Sequence, residues 1–211
     1  MTDNNKATLS PSDPTTLWRR PSWVTPRLAI CGDLPSSDSA ARAALDQWMA
    51  AGVTTIVDLR GEHSDQGRVA EWAPEVRYIW LGTHDNGGDQ DVRWFIEGVE
   101  EILGALSCEP ESKVLVHCHM GVNRAPSMVY AALLAQGVHH IEAMSLIRTA
   151  RPIAAALYAP QALDNHMWVR QVPDEERLAT VDELVAWMSE NRVDTSWVIS
   201  RIRRSAIYGL D

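Results

Sequence analysis

The chain has 211 residues, 45% of them hydrophobic and 22% charged, the ordinary make-up of a soluble globular protein with one substantial core. A formal charge of −9 argues against broad binding to nucleic acid or anionic membrane, both of which call for a basic face. Three scattered cysteines (Cys31, Cys108, Cys118) cannot make a disulfide framework. The polar opening MTDNNKATLSPSDPTT lacks the layout of a signal peptide, and no apolar run approaches the roughly 18 residues of a membrane span. The expected location is therefore the cytoplasm, with reduced thiols.

Residues 1–16, rich in Ser, Thr, Asn, Asp and Pro, read as a disordered arm. RLAIC (27–31) is a short apolar run of edge-strand type. Ala41, Ala44, Leu45, Trp48 and Met49 then share one helical face, and Gly52 suits the stop. VTTIVDL (53–59) and VRYIWL (76–81) read as strands, and GTHDNGGDQD (82–91) as a loop. Helical spacing returns over 92–106, KVLV (113–116) is a very apolar strand, and 124–136 and 140–150 read as two helices separated by Gly137. Strands alternating with helices predict an α/β domain with a mostly parallel central sheet and helices on both faces. This domain is expected to span 17–173. A helical extension follows over 174–211, with Thr180-Val181-Asp182-Glu183 as a capping box and Asp194 capping a second helix that carries Trp197, Val198 and Ile202.

The informative stretch is KVLVHCHMGVNRAPSM, Lys113 to Met128. A buried strand runs into His117-Cys118, five residues follow, and Arg124 opens a helix. A tight loop containing Gly121 can turn its N–H groups inward as an anion nest, and the helix N-terminus adds its positive end at the same point. Arg124 offers a planar fork for two phosphate oxygens. Such surroundings lower a thiol pKa and favour the thiolate, which is placed for in-line attack on a bound phosphate. Backbone dipoles and one guanidinium supply the positive charge, so no metal or other cofactor is expected. From average residue usage the string should arise by chance on the order of once in 10⁵ chains or fewer, and it falls at the strand–loop–helix junction that the chemistry requires.

HCHMGVNRAPS resembles the His-Cys-x5-Arg signature of the cysteine-dependent protein tyrosine phosphatase superfamily. A short chain with the motif past its middle is similar to the dual-specificity branch, over roughly Arg27 to Val172. The resemblance implies a nucleophile at Cys118 and phosphate binding by His119, Met120, Gly121, Val122, Asn123 and Arg124. It implies a general acid among the aspartates of the preceding loop, Asp85 first and Asp89 as its rival; Asp91 suits a helix cap. It gives His117 an orienting role through a hydrogen bond within the loop, and it allows Arg151 a substrate contact, with a surface salt bridge as the plain alternative. Asp58 and Arg60 read as structural, Arg201, Arg203 and Arg204 as a solvated helix face, and His139-His140 as surface residues.

The implied activity is hydrolysis of phosphate monoesters, phosphotyrosine with phosphoserine and phosphothreonine, through a phosphocysteine on Cys118. A phosphoprotein is the expected partner; membrane and nucleic acid are not. Two alternatives stand beside this reading: an RNA 5′-phosphatase, because Gly-Val-Asn-Arg also resembles the cysteine RNA triphosphatases, and a slow or non-catalytic phosphate-binding module. The last is motivated by Ala125, since many relatives place Ser or Thr after the arginine to assist the departing thiolate.

Overall fold

The computed structural model describes residues 18–196 and Ser200. The expected N-terminal arm, most of the second C-terminal helix and the Arg201–Arg204 cluster lie outside the described residues. Among the described residues five strands form one sheet: β1 (Ser22–Thr25), β2 (Leu28–Cys31), β3 (Thr55–Arg60), β4 (Arg77–Thr83) and β5 (Val114–His117), in the order β1-β2-β5-β3-β4. β1 runs antiparallel to β2 and every other pairing is parallel. The predicted mostly parallel sheet is thus the observed one. RLAIC is not an edge, however: the Thr25 hydroxyl accepts hydrogen bonds from the Arg27 and Leu28 N–H groups, closing a hairpin that lays β1 along β2.

Side chains on the inner strands alternate between two cores, as the two-residue period of a strand requires. Leu28, Ile30, Val57, Leu59, Val114 and Val116 face the larger one, while Ala29, Cys31, Ile56 and Leu115 face the other. The smaller core is capped by α1 (Asp38–Ala50), through Ala41, Leu45 and Trp48, and by α2 (Gln66–Trp72), through Val69. The larger is covered by α3 (Val92–Cys108), α4 (Arg124–Ala135), α5 (His140–Ala150), α6 (Ala159–Val169) and α7 (Asp174–Glu190). α4 is the central helix, and ten of its residues in addition to Arg124 are buried. No helix among the described residues is long and apolar enough to cross a membrane.

Two helices escape the sequence pattern. α2 is seven residues long and buries only Val69, too little for a period to show. α6 follows Pro152, holds Pro160 in its first turn and carries Asn165 and His166, which disguise its apolar side. The capping box is also corrected. α7 starts at Asp174, directly after Pro173, with Asp174, Glu175 and Glu176 in its first turn where carboxylates complement the helix dipole. Thr180 lies inside the helix, and its hydroxyl donates to the Glu176 carbonyl at 2.8 Å. Leu184 is fully buried, and Val181, Trp187 and Met188 pack on the larger core. His140 is no surface residue: it is 8% exposed, and its Nε2 lies 3.0 Å from Glu183 Oε2, tying α5 to α7.

Candidate active site

β5 sits in the sheet interior, so its C-terminal end delivers Cys118 to the middle of the carboxyl edge, the side where open α/β sheets bind ligands. Cys118 is 2% exposed. The segment from His119 to Asn123 arches from β5 to the start of α4, and its peptide groups are sorted by direction. The His119 carbonyl accepts from Asp33 N at 3.1 Å. The Met120 and Gly121 carbonyls accept from Arg151, at 2.9 and 2.6 Å. The Val122 carbonyl accepts from Ala155 N and Ala156 N, at 2.8 and 3.1 Å. Four successive carbonyls are thereby held on the outside of the arch, while the N–H groups of His119 to Asn123 have no acceptor among the described residues. Backbone N–H groups are obligatory donors, so five together without an acceptor make a site that asks for an anion.

Gly121 is essential to this shape. It has φ +61°, and a Cβ there would lie 2.5 Å from the Cys31 carbonyl oxygen and within 3 Å of the Arg151 guanidinium. Arg151 is 2% exposed and makes four contacts: beyond the two loop carbonyls, it donates to the Trp18 carbonyl at 2.8 Å and to the Ser22 hydroxyl at 3.0 Å. It is neither a substrate contact nor a surface salt bridge, and it fixes the loop from behind.

Arg124 faces the same cavity, with its fork partly held. Glu62, just past β3, accepts from Nη1 and Nη2 at 2.7 Å each, and the Thr83 carbonyl accepts from Nη1 at 2.8 Å. Nε is buried with no hydrogen-bond partner among the described residues. Of five guanidinium N–H groups, the protein holds three, leaving Nε–H and one Nη2 hydrogen along one edge. That edge still matches two phosphate oxygens. Burial disfavours charge on Glu62, but Arg124 outweighs it and holds this carboxyl below its usual range. Glu62 was not singled out in the sequence; its place at the carboxyl end of a central strand is the one signal that marks it.

The three loop aspartates separate cleanly. Asp85 Oδ1 accepts from Asn123 Nδ2 and from the Tyr158 hydroxyl, both at 2.7 Å, and Oδ2 lies 3.6 Å from Arg124 Nε. Asp91 caps α3 by accepting from Arg93 N at 2.8 Å, and Asp89 is exposed in the loop. Asn123 does more than line the rim: its Oδ1 accepts from Leu157 N at 2.6 Å, so one side chain joins the arch, Asp85 and the segment before α6. Tyr158 was missed because only the tertiary fold brings it to Asp85.

His117 departs from its expected role. Its ring points into the smaller core beside Trp48, 3.7 Å from Asp58 Oδ1, and neither nitrogen makes a hydrogen bond. Burial pushes its pKa below the ordinary value, against the pull of the nearby Asp58 carboxylate. Asp58, Asp65 and His117 offer ligand atoms close enough for a cation, but Arg60 Nη2 already sits 2.8 Å from Asp58 and 2.5 Å from Asp65. Asp58 and Arg60 are structural, as the sequence implied.

His119, on the cavity wall, is set by Asp33: Nδ1 lies 2.7 Å from Oδ2, and this hydrogen bond raises the imidazole pKa above its ordinary value of 6.5 against the cost of partial burial. The pair's contribution is full below about pH 6.5 and fades as the pH rises through the raised folded-state value. An NMR titration should place His119 above 6.5, and Asp33→Asn should lower it. A His119 titration indifferent to Asp33→Asn would remove Asp33 as the cause.

Cys118, Arg124, Asp85, Glu62, His119, Met120, Val122 and Asn123, together with Leu157 and Thr195, line a cavity of about 480 Å³. All the predicted site residues but one are on its wall; Gly121 lies behind it in the arch.

Residues 37–157 match the family described as dual specificity phosphatase, catalytic domain. No curated protein matches the chain by sequence. Among solved structures, human DUSP28 is 20% identical with a TM-score of 0.56, the match covering 71% of this chain and 98% of that one. PTPMT1 is 20% identical with a TM-score of 0.56, covering 70% and 94%. Tk-PTP in its active form is 21% identical with a TM-score of 0.52, covering 79% and 97%. These three likenesses concern the fold. The family match spans more than half of the chain and contains Asp85, Cys118 and Arg124, and by it the chain belongs to the dual-specificity phosphatase catalytic-domain family.

Proposed function

We propose that this protein hydrolyses phosphate monoesters on phosphoproteins, phosphotyrosine foremost, through a phosphocysteine on Cys118 and without a metal. The observation that carries the proposal is the arch of five unpartnered N–H groups over Cys118, with the open edge of Arg124 beside it. In the first step the Cys118 thiolate attacks phosphorus in line, the bond to the leaving oxygen breaks, and Asp85 gives that oxygen its proton. In the second, water attacks phosphorus, Asp85 takes the proton, and the S–P bond breaks to return the thiolate. The N–H groups and Arg124 face the three equatorial oxygens in both steps. The purified protein should hydrolyse p-nitrophenyl phosphate in EDTA and be blocked by vanadate; activity that depends on added metal would sink the proposal.

The second step is where this chain is weakest. Ala125 is fully buried, and the nearest hydroxyl along the helix, that of Ser127, accepts from Tyr158 N at 3.2 Å and so is turned away. A hydroxyl at position 125 would stabilise the departing thiolate by about 1.5–3 kcal/mol, roughly ten- to a hundredfold in rate. Phosphoenzyme breakdown should therefore limit turnover, giving a burst of phenol release on rapid mixing. Ala125→Ser should shrink the burst and raise the steady-state rate. No burst, together with no gain from serine, would show that the arch expels the thiolate unaided.

A further inference from the structure

The cavity at Cys118 does not end at its mouth. Ala155 and Leu157 line both it and an adjoining groove of about 390 Å³, whose other walls are Pro160 at the start of α6, Val185 and Met188 on α7, and Val193 beyond it. Arg148 and Arg192 also line the groove. Leu157 is 63% exposed and Val185 43% exposed, so the floor is apolar surface left open to water. In a chain of net charge −9, two arginines in one groove stand out, and neither has a carboxylate within ion-pair distance among the described residues. Arg148 lies over the Trp187 ring and donates to the Asn191 carbonyl, while its Nε is buried without a partner; Arg192 Nε donates to the Ser189 carbonyl at 3.3 Å. These contacts hold both cations in place without neutralising them.

One whole wall of this groove comes from α7 and the residues after it, beyond the family match that ends at 157. After α7 the chain runs back to the catalytic cavity, which Thr195 helps to line. We propose that the groove is a specificity site for the polypeptide flanking the phosphoresidue, taking an apolar side chain over Leu157, Val185 and Met188 and an acidic one at Arg148 and Arg192. The proposal rests on the phosphatase reading for the identity of the bound phosphoresidue. It favours a phosphopeptide over a membrane lipid because the groove sets two arginines beside apolar side chains, where a lipid surface would meet a broad basic face.

The test uses the full chain and three phosphotyrosyl peptides that differ only in the flank: apolar plus Glu, apolar plus Lys, and all Ala. The readout is the ratio of kcat/KM between peptides measured on the same protein, with p-nitrophenyl phosphate turnover reporting separately on the chemistry. The Glu-flanked peptide should be preferred over the Lys-flanked one by about fivefold or more, the scale of one or two partly exposed ion pairs. Arg192→Glu should reverse the order, and Val185→Glu should remove the apolar advantage over the Ala peptide. If p-nitrophenyl phosphate is hydrolysed but the ratios stay at one, the groove proposal falls and the phosphatase reading stands. If nothing is hydrolysed, fluorescence anisotropy of the same peptides on the unaltered protein reads the preference directly, and equal affinities overturn the proposal. Turnover of a phosphoinositide in vesicles with no preference among peptides would assign the surface to lipid instead. A preference that emerges only after removal of residues 197–211 would mean that the chain fills its own groove.

Discussion

Cys118→Ser should reduce turnover of p-nitrophenyl phosphate by at least about 10⁴-fold while leaving phosphate binding nearly intact. A serine hydroxyl holds its proton at neutral pH and needs a base to attack phosphorus. The carboxylates on the cavity wall are both committed, Glu62 to the Arg124 fork and Asp85 to Asn123 and Tyr158. Neither is hydrogen-bonded to position 118. The five N–H groups and the open edge of Arg124 belong to the arch and survive the substitution. Titration calorimetry with inorganic phosphate or vanadate should therefore give nearly the unaltered affinity beside a nearly absent rate. A residual rate above a few per cent would place the nucleophile elsewhere.

Asp85→Asn is expected to slow hydrolysis of alkyl phosphates by about 10²–10⁴-fold, the usual worth of a positioned general acid. An alkoxide leaves poorly without a proton, whereas the phenolate of an acidic phenol leaves almost unaided. Esters of acidic phenols should thus lose far less. Asparagine is a fair probe because its carbonyl can still accept from Asn123 and from the Tyr158 hydroxyl, so the loop keeps its place while the proton is gone. Asp89→Asn, on an exposed stretch of the same loop, should change neither rate. Equal losses on both ester types, or a greater loss at Asp89, would move the acid assignment.

What could be read in advance follows from how locally each feature is encoded. Cys118, the arch and Arg124 are contiguous, and their spacing is itself the signal, so seven residues of sequence display them. The alternation of strands and helices is a pattern of neighbours and was equally legible. Glu62, Tyr158 and the true task of Arg151 were not, because each meets its partner only when distant elements converge at the carboxyl edge of the sheet. Arg151 had been offered a choice between substrate and solvent, and the fold gives it neither. His117 shows the opposite limit. Its place beside Cys118 suggested a bond within the loop, but strand alternation turns it into the core against Trp48. A one-residue step along a strand decides which side of the sheet a side chain serves.

The four grips of Arg151 have a practical bearing on where this domain can be cut. Two of them reach backward, to Trp18 and Ser22, well ahead of residue 37 where the family match begins. A fragment trimmed to that match would forfeit β1 and β2, leave β5 without its neighbour on one side, and free the guanidinium that keeps two loop carbonyls turned outward. Peptide planes released from that clasp could rotate, presenting oxygens instead of hydrogens to an incoming phosphate. A fragment that keeps all four grips therefore begins at or before Trp18, and the segment ahead of the family match belongs to the scaffolding of the Cys118–Arg124 loop.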